Sequence, residues 1–140
     1  NWAHKDRDDH PINCVNQAQA MTFCIWIGAR LPTSKEWEYA AKGGESRIYP
    51  WGNDGPTKDH ATTGFSGTET VGSHPMGQTA MGLLDMAGNV QEWTSSDSNK
   101  DKVSVRGGSW GRKLRELRAS NRNGAPKSAQ WRDTGFRCAM

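Results

Sequence analysis

Long apolar runs are absent from this 140-residue sequence, and none approaches the roughly 18 residues that a membrane-spanning helix requires. The chain also begins without the basic and then apolar stretch of a secretory signal. Its first residues, NWAHKDRDDH, are polar, which predicts a loose segment over residues 1–10. Because the sequence starts so abruptly, we expect that an upstream piece has been cut away.

Cysteine is scarce, and its spacing excludes two common kinds of site. Cys14, Cys24 and Cys138 form neither a zinc-ligand pattern nor a CxxC redox motif. Three cysteines permit at most one internal disulfide and leave at least one free thiol. The spacing leaves open whether two of them are bonded or all are buried as small apolar side chains.

Positive charge is concentrated in one region of the chain. The whole chain carries a net charge of +3. Between Arg106 and Arg137, nine basic residues stand against Glu116 and Asp133, so this region carries about +7 and the remainder about −4. A region of this charge attracts anions, phosphates included.

Two helices are predicted in the first third of the chain. In NQAQAMTFCIWI (16–27), apolar residues at helical spacing, among them Met21 and Ile25, indicate an amphipathic helix. TSKE (33–36) has the pattern of a capping box at the start of a second helix, and the glycine pair at 43–44 ends it.

The rest of the chain predicts few regular elements. Residues 43–102 are rich in Gly, Thr, Ser, Asp and Pro and show no helical period. KVSVRGGSW (102–110), with alternating Val103 and Val105, predicts a strand, and GFRCAM (135–140) predicts a terminal strand. Because the composition is that of one ordinary globular domain, residues 1–140 are predicted to form a single domain of the α+β class.

Five motifs occur in an order typical of one protein family: GARLPTSKEWEYAAKGG, YPWGN, GLLDMAGNVQEW, VRGGSW and GFRCA. Together they resemble the formylglycine-generating enzymes, or sulfatase-modifying factors, from about residue 11 to residue 140. The resemblance implies a C-type lectin fold of the formylglycine-generating-enzyme type, with two helices, short antiparallel strands and long ordered loops. The family's glycine-rich opening strand is absent from the sequence, which implies that FRCAM lacks a strand partner.

The motif DMAGNVQEW (85–93) predicts a cation site. The resemblance implies that calcium binds the carboxylates of Asp85 and Glu92 and the carbonyls of Gly88 and Val90. Calcium takes roughly six to eight oxygen ligands and accepts this mixture, and a compact loop can bring both acids to one ion. We expect such a calcium to be structural. The alternative is an acidic turn in which Asp85 caps local backbone N–H groups.

The catalytic chemistry of the family depends on residues that this sequence lacks. The resemblance implies that an active enzyme oxidises a substrate cysteine with a copper ion held by two cysteines just after GGS. Copper(I) needs soft thiolate ligands, but residues 111–117 contain no cysteine, histidine or methionine. Ser109 matches the family's active-site serine, whereas Gln91 stands where the enzymes have tryptophan. We expect a non-catalytic chain without copper, and a copper-dependent formylglycine-generating oxidoreductase is the alternative function.

Iron-dependent sulfoxide synthases are a second class of relatives. The resemblance implies that they need a histidine triad from a separate helical domain. The histidines of this sequence show no i, i+4 pair on a helix; they are His4, His10, His60 and His74. We expect this chain alone to be inactive in that reaction.

The resemblance also implies a pairing for two of the cysteines. Cysteines at the positions of Cys24 and Cys138 can form a disulfide that joins the first helix to the last strand. We expect these two residues to be neighbours, bonded only in an oxidising compartment. Cys14 is expected to be a buried or free thiol rather than a catalytic one.

Residues 111–133, called the basic segment below, resemble the ends of the variable proteins of diversity-generating retroelements, which share this fold. The resemblance implies that chemically assorted residues, alternating with a constant frame, form an exposed face that binds a protein or another surface ligand. Tryptophan and arginine suit contact hot spots. The alternative is a solvated basic loop in a catalytically inactive relative. The candidate ligand-binding residues are Gly111, Arg112, Lys113, Glu116, Asn121, Asn123, Ser128, Gln130, Trp131 and Asp133.

Nucleic acid is a third class of partner to consider. The basic segment attracts phosphates, but it contains a single aromatic residue, Trp131, and matches no nucleic-acid-binding module. We therefore expect a protein or surface ligand and no nucleic acid. If the variable-protein interpretation holds, the expected location is the cell surface, a secreted form or a virion.

Overall fold

A four-stranded sheet organises the computed structural model, which describes residues 1, 4–64 and 66–140. Two strands, β1 (Gln91–Asn99) and β2 (Lys102–Arg106), form an antiparallel hairpin. β3 (Arg122–Pro126) pairs antiparallel with β2, and β4 (Thr134–Gly135) pairs parallel with the start of β1. The strand order is therefore β3-β2-β1-β4. Because β4 lies beside the start of β1, residues 85–92, called the acidic loop below, end next to the end of the basic segment.

Helix α1 (Gln17–Trp26) packs on the sheet through small side chains. Ala20 and Cys24 are buried against the core, whereas Met21 and Ile25 of the predicted apolar stripe are exposed. The prediction that Met21 and Ile25 mark the apolar, core-facing side of this helix was therefore wrong. Small residues let the helix approach the sheet closely, so the larger apolar side chains are left on its outer face.

Helix α2 (Ser34–Lys42) confirms the capping-box prediction. The Thr33 side chain accepts a hydrogen bond from the Glu36 backbone N–H, and the Glu36 carboxylate accepts one from the Thr33 N–H. Gly43, at φ +64°, ends the helix in the left-handed conformation. Trp37 is buried beneath the acidic loop, so this helix supports one of the two candidate sites.

The longest strand, β1, lies partly in a region where the sequence predicted little regular structure. From Ser95 onward it is largely exposed and polar, so no apolar alternation marks it. The predicted strands at 102–110 and 135–140 are both wrong in extent, since β2 ends at Arg106 and β4 at Gly135. Within the described residues, the chain after β4 forms a single antiparallel bridge, between Ala139 and Arg30.

A disulfide between Cys24 and Cys138 joins α1 to the C-terminal segment. The two cysteines are 114 residues apart in sequence. Closing a loop of that size removes chain entropy from the unfolded state, worth about 4–5 kcal/mol in the simplest model. Cys14 is the free and exposed cysteine.

The N-terminal residues make specific backbone contacts. Arg7 donates its N–H to the His4 carbonyl and His10 donates to the Arg7 carbonyl, both at 3.1 Å. Asp9 accepts a hydrogen bond from the Val71 N–H at 2.9 Å. Of the segment predicted to be loose, residues 4–10 form turns against the segment around residue 71, and residues 2 and 3 lie outside the described residues. In the described ranges of the chain, no helix has the length and hydrophobicity of a membrane-spanning segment.

Candidate functional site

The acidic loop takes its shape from three residues in the left-handed region: Asp85 (φ 55°), Gly88 (φ 80°) and Asn89 (φ 56°). A Cβ atom on Gly88 would lie 2.5 Å from the Thr62 carbonyl oxygen, so glycine is required there. The buried Asn89 side chain accepts from the Glu69 N–H at 3.2 Å and donates to the Glu69 carbonyl at 3.1 Å. These contacts hold the loop in one conformation.

Glu92, at the end of the acidic loop, is 4% exposed and fully engaged by neighbours. Both carboxylate oxygens accept from the Arg137 guanidinium at 2.7 Å, and one also accepts from the Trp37 indole N–H at 2.6 Å. Burial alone lowers the pKa of Arg137, but the charges of Glu92 and Asp85 outweigh burial and raise it. Glu92 is therefore a structural ion-pair partner, whatever else it binds.

Asp85 has far fewer partners than Glu92. Its Oδ2 accepts one hydrogen bond, from the Gly72 N–H at 2.7 Å. Burial raises the pKa of Asp85, the charge of Glu92 adds to this, and the Gly72 bond and the Arg137 charge oppose it. A half-buried carboxylate in this position gains from a nearby cation.

Three of the four predicted calcium ligands line one cavity of about 420 Å³. Asp85, Val90 and Glu92 line it, and Gly88 does not. In the part of the chain that the structure describes, no three His, Cys, Asp or Glu side chains form a metal-binding group. The donors fit a hard cation in part: Asp85 has a spare carboxylate oxygen, but the charge of Glu92 is already paired with Arg137. Calcium stays a prediction.

The basic segment is anchored by small and apolar side chains. Leu117 in the short helix Leu114–Leu117, Ala119 and Ala125 of β3 are all buried. The candidate ligand-binding residues lie between these anchors and show two degrees of exposure. Exposed are Gly111, Lys113, Ser128, Gln130 and Trp131, and half-buried are Arg112, Glu116, Asn121, Asn123 and Asp133.

Part of this set lines a cavity of about 700 Å³, called the recognition cavity below. Its predicted members are Gly111, Arg112, Gln130, Trp131 and Asp133. Its remaining wall comes from three residues that the sequence reasoning missed, namely Cys14, Trp110 and Arg132. Arg132 stands between two predicted residues and Trp110 follows the GGS turn, so proximity in sequence could have suggested both. Cys14 is brought there only by folding, through its N–H bond to the Trp131 carbonyl at 3.2 Å.

The rim of the recognition cavity is built from two arginine–tryptophan contacts. The Arg112 guanidinium carbon lies 5.9 Å from the centroid of the Trp131 ring, and that of Arg132 lies 5.2 Å from the Trp110 centroid. Arg112 also donates to the Asp133 carboxylate at 2.9 Å, and the Ser109 hydroxyl donates to the same oxygen at 3.2 Å. Two of the candidate ligand-binding residues are thus partners of each other.

The other candidate residues do not line the recognition cavity. Asn123 donates to the Glu116 carboxylate at 2.9 Å, so these two form a separate pair. The Asn121 carbonyl accepts from Arg106 at 2.8 Å. Burial lowers the pKa of Arg106, whose charge is compensated by Glu38 at 2.6 Å. This buried arginine fixes the base of the basic segment.

The residues at the family's catalytic positions are interior. Ser109 is fully buried, and Gln91 is bonded to the Thr134 hydroxyl at 2.9 Å. The single thiol at the recognition cavity, among the residues described, is that of Cys14. A copper ion of the family type needs two thiolates, so the residues here do not fit it.

Similarity to known sequences concerns both inactive and active proteins. The chain is 35% identical over 156 residues to an inactive C-alpha-formylglycine-generating enzyme 2 of Bos taurus, covering 96% of this chain and 52% of that protein. It is also 35% identical over 119 residues to the formylglycine-generating enzyme of Bos taurus, covering 68% of this chain and 31% of the enzyme. The chain thus spans about half the length of the inactive relative and a third of the active one.

Similarity to solved structures and to family patterns extends over nearly the whole chain. The Treponema denticola variable protein 1 superposes with a TM-score of 0.81 and 22% identity, covering 91% of this chain and 70% of that one. This likeness establishes the fold, which is of the formylglycine-generating-enzyme and C-type lectin kind, as predicted. The family model for the sulfatase-modifying factor enzyme 1-like domain matches residues 1–140. The chain therefore belongs to the sulfatase-modifying factor family.

Proposed function

We propose that this chain is a non-catalytic recognition module that binds a protein or another surface ligand through its basic segment. The recognition cavity carries the proposal: residues expected from sequence to bind ligand line it together, and it offers one thiol where copper requires two. A relative named as inactive, matching 96% of the chain, supports the non-catalytic part. Exposed tryptophan and arginine side chains around a concave surface suit protein contacts.

A peptide selection tests the binding part. A random peptide library is panned against the immobilised chain, and the affinity of one selected peptide is then measured by calorimetry. Trp131→Ala is expected to weaken this peptide at least tenfold, as hot-spot truncations do. Met76→Ala, which removes an exposed apolar side chain outside the basic segment, is the matched control. Equal affinities for both variants, or no selectable peptide, would contradict the proposal.

An oxidation assay tests the non-catalytic part against the alternative, a copper-dependent oxidoreductase. The chain is incubated with copper, a reductant, oxygen and a cysteine-containing peptide, and the aldehyde product is followed by mass spectrometry. No conversion above a protein-free control is expected. Turnover that depends on the chain would overturn the proposal.

We further propose that the basic segment is diversified, as in the variable proteins of retroelements. The shared fold with a protein named as variable supports this, as does the alternation of buried anchors with exposed, assorted residues. Sequencing the native locus tests it. A near-copy of the coding segment that differs at adenines, beside a reverse-transcriptase gene, is the expected finding, and a locus without any near-copy would contradict it.

We also propose an oxidising location, at the cell surface, in secreted form or on a virion. The bond between Cys24 and Cys138 supports this, because such bonds persist mainly in oxidising compartments. Alkylation of protein from its native source, followed by mass spectrometry, should modify Cys14 alone. Alkylation of all three cysteines before reduction would reject this location.

A structural calcium at the acidic loop completes the proposal. The spare oxygen of half-buried Asp85, with the carbonyls of Gly88 and Val90 and the carboxylate of Glu92, would hold it. The burial of Asp85, which raises its pKa, supports the need for a compensating cation. Calcium here would supply positive charge and order, without any part in a reaction.

A further inference from the structure

The recognition cavity has a cation that nothing in the described chain neutralises. Arg112 is paired with Asp133 at 2.9 Å. Arg132, in contrast, forms no ion pair with any residue that the structure describes, and its guanidinium rests on the Trp110 ring. An arginine fork held against an aromatic ring is prepared to bind a planar anion through two hydrogen bonds.

Trp110, beneath Arg132, lacks a hydrogen-bond acceptor of its own. The residue is 9% exposed, and its indole N–H is buried without a partner among the described residues. Buried indole N–H groups usually find an acceptor. Because that nitrogen has almost no accessible surface, the Trp110 ring acts here as the support on which Arg132 lies, and Arg132 is the donor group that this side of the recognition cavity presents.

The basic segment cannot supply an acceptor for this guanidinium from its own acids. Its carboxylates are those of Glu116 and Asp133, against seven basic residues, which gives a net charge of about +5. Asp133 already accepts from Arg112 and Ser109, and Glu116 accepts from Asn123. The surrounding cations without an ion pair to any described residue are Lys113, Arg115, Arg118 and Arg122. Their field favours the approach of an anionic partner.

Resting on the proposed function, we infer that the partner is a protein that inserts an acidic segment, with one carboxylate side chain bound by the Arg132 guanidinium in the recognition cavity. Trp131 lines the same cavity, and its apolar ring suits the methylene groups of glutamate. A nucleic acid is less suited, because single-strand binding relies on a series of stacking aromatics and the segment has one aromatic residue.

Fluorescence anisotropy with labelled octaglutamate tests this inference, using octalysine and a single-stranded DNA octamer as comparison probes. Arg132→Glu is expected to weaken octaglutamate binding at least tenfold. Arg118→Glu makes the same change of charge in the same segment but outside the cavity, and should weaken it no more than about threefold. The affinity of Arg132→Gln for octaglutamate should lie between the affinities of the two glutamate variants. Arg118 and Arg132 are both exposed, and thermal melts establish that all three variants are folded.

Several results would overturn the inference. Equal weakening by Arg132→Glu and Arg118→Glu would show that bulk charge alone attracts the probe. Tighter binding of the DNA octamer than of octaglutamate would favour nucleic acid, and absence of octaglutamate binding would reject an acidic ligand. If library-selected peptides bind at Trp131 but contain no acidic residue, the inference fails and the proposed function survives. If no peptide binds there at all, the proposed function fails as well.

Discussion

The acidic loop and the basic segment end side by side at β1 and β4, yet their charged side chains differ in burial and in pairing. In the loop, Glu92 is buried and all its charge is paired with Arg137. In the segment, Arg132 is exposed and unpaired within the described chain. Removal of one partner from a buried ion pair leaves an uncompensated charge and destabilises the fold, whereas exposed charges without partners are free to meet a ligand.

The contrast assigns the two motifs different tasks. The loop, which the sequence predicts to be a cation site, acts as a support, since its side chains bind Arg137, Trp37 and backbone groups elsewhere in the fold. The segment for which a solvated surface was the alternative lines a shaped cavity, and Arg132 at that cavity has no ion pair within the described chain. Stability should therefore depend on the loop, and binding on the segment.

The largest expected difference concerns one glutamate from each region. Glu92→Gln leaves the partly buried Arg137 without its counter-charge and should lower the free energy of unfolding by about 3 kcal/mol. Glu116→Gln, which changes a half-buried acid of the basic segment, should lower it by less than about 1 kcal/mol. Urea unfolding followed by tryptophan fluorescence measures both. Similar losses for the two variants would contradict the division of tasks.

Calcium should act on the loop alone. At a concentration about 100 times its dissociation constant, a bound ion stabilises by about 2.7 kcal/mol, so EDTA should lower the melting temperature of the wild type. Asp85→Asn should abolish this response, because it removes the carboxylate that has a spare oxygen. Asp133→Asn, in the basic segment, should keep it. A melting temperature unchanged by EDTA would count against the calcium site.

Two glycines give a smaller but cleaner contrast. Gly88→Ala places a Cβ against the Thr62 carbonyl at a positive φ and should cost about 1–3 kcal/mol. Gly111→Ala, in the basic segment, has open space around the new methyl group and should change stability by less than about 0.5 kcal/mol. Thermal melts of both variants check this, and a neutral Gly88→Ala would mean that the loop is less constrained than its contacts indicate.

The smallest effect is expected at an exposed ion pair outside both regions. Hydrogen bonds from Arg30 and Thr33 lower the pKa of Glu36 to about 2, below its ordinary value of 4.5. Because the pKa of Glu36 is lower in the folded state than in the unfolded state, the ionised carboxylate stabilises the fold above pH 4.5. This contribution is lost as the pH falls towards 2. Glu36→Gln should therefore lower the melting temperature slightly at pH 7 and not at pH 2. If the difference in melting temperature between Glu36→Gln and the wild type grew as the pH falls, the prediction would be contradicted.

Local signals in the sequence were sufficient for part of the fold. The capping box at Thr33 and Glu36 is a four-residue pattern with its own hydrogen bonds, so it was predictable without knowing the rest of the chain. The buried face of α1 was not, because Met21 and Ile25 satisfy helical spacing as well as Ala20 and Cys24 do. The helix buries its small side chains because the sheet approaches it closely and because the disulfide from Cys24 ties that side to the C-terminal segment.

At the candidate sites too, contacts between residues close in sequence were predictable, and contacts across the fold were not. The loop ligands are close in sequence, so the motif alone is enough to place Asp85, Val90 and Glu92 together. The engagement of Glu92 by Arg137 depends on a contact across the fold and left no mark on the motif. The recognition cavity likewise needs Cys14, which only the folded chain brings near the basic segment.

An NMR titration of the isotopically labelled chain with a library-selected peptide tests the central claim most directly. Backbone shift changes should concentrate at residues 110–112 and 130–133, which line the recognition cavity, while residues 85–92 change little. Shift changes centred on the acidic loop or on helix α1, with the basic segment unaffected, would contradict the account.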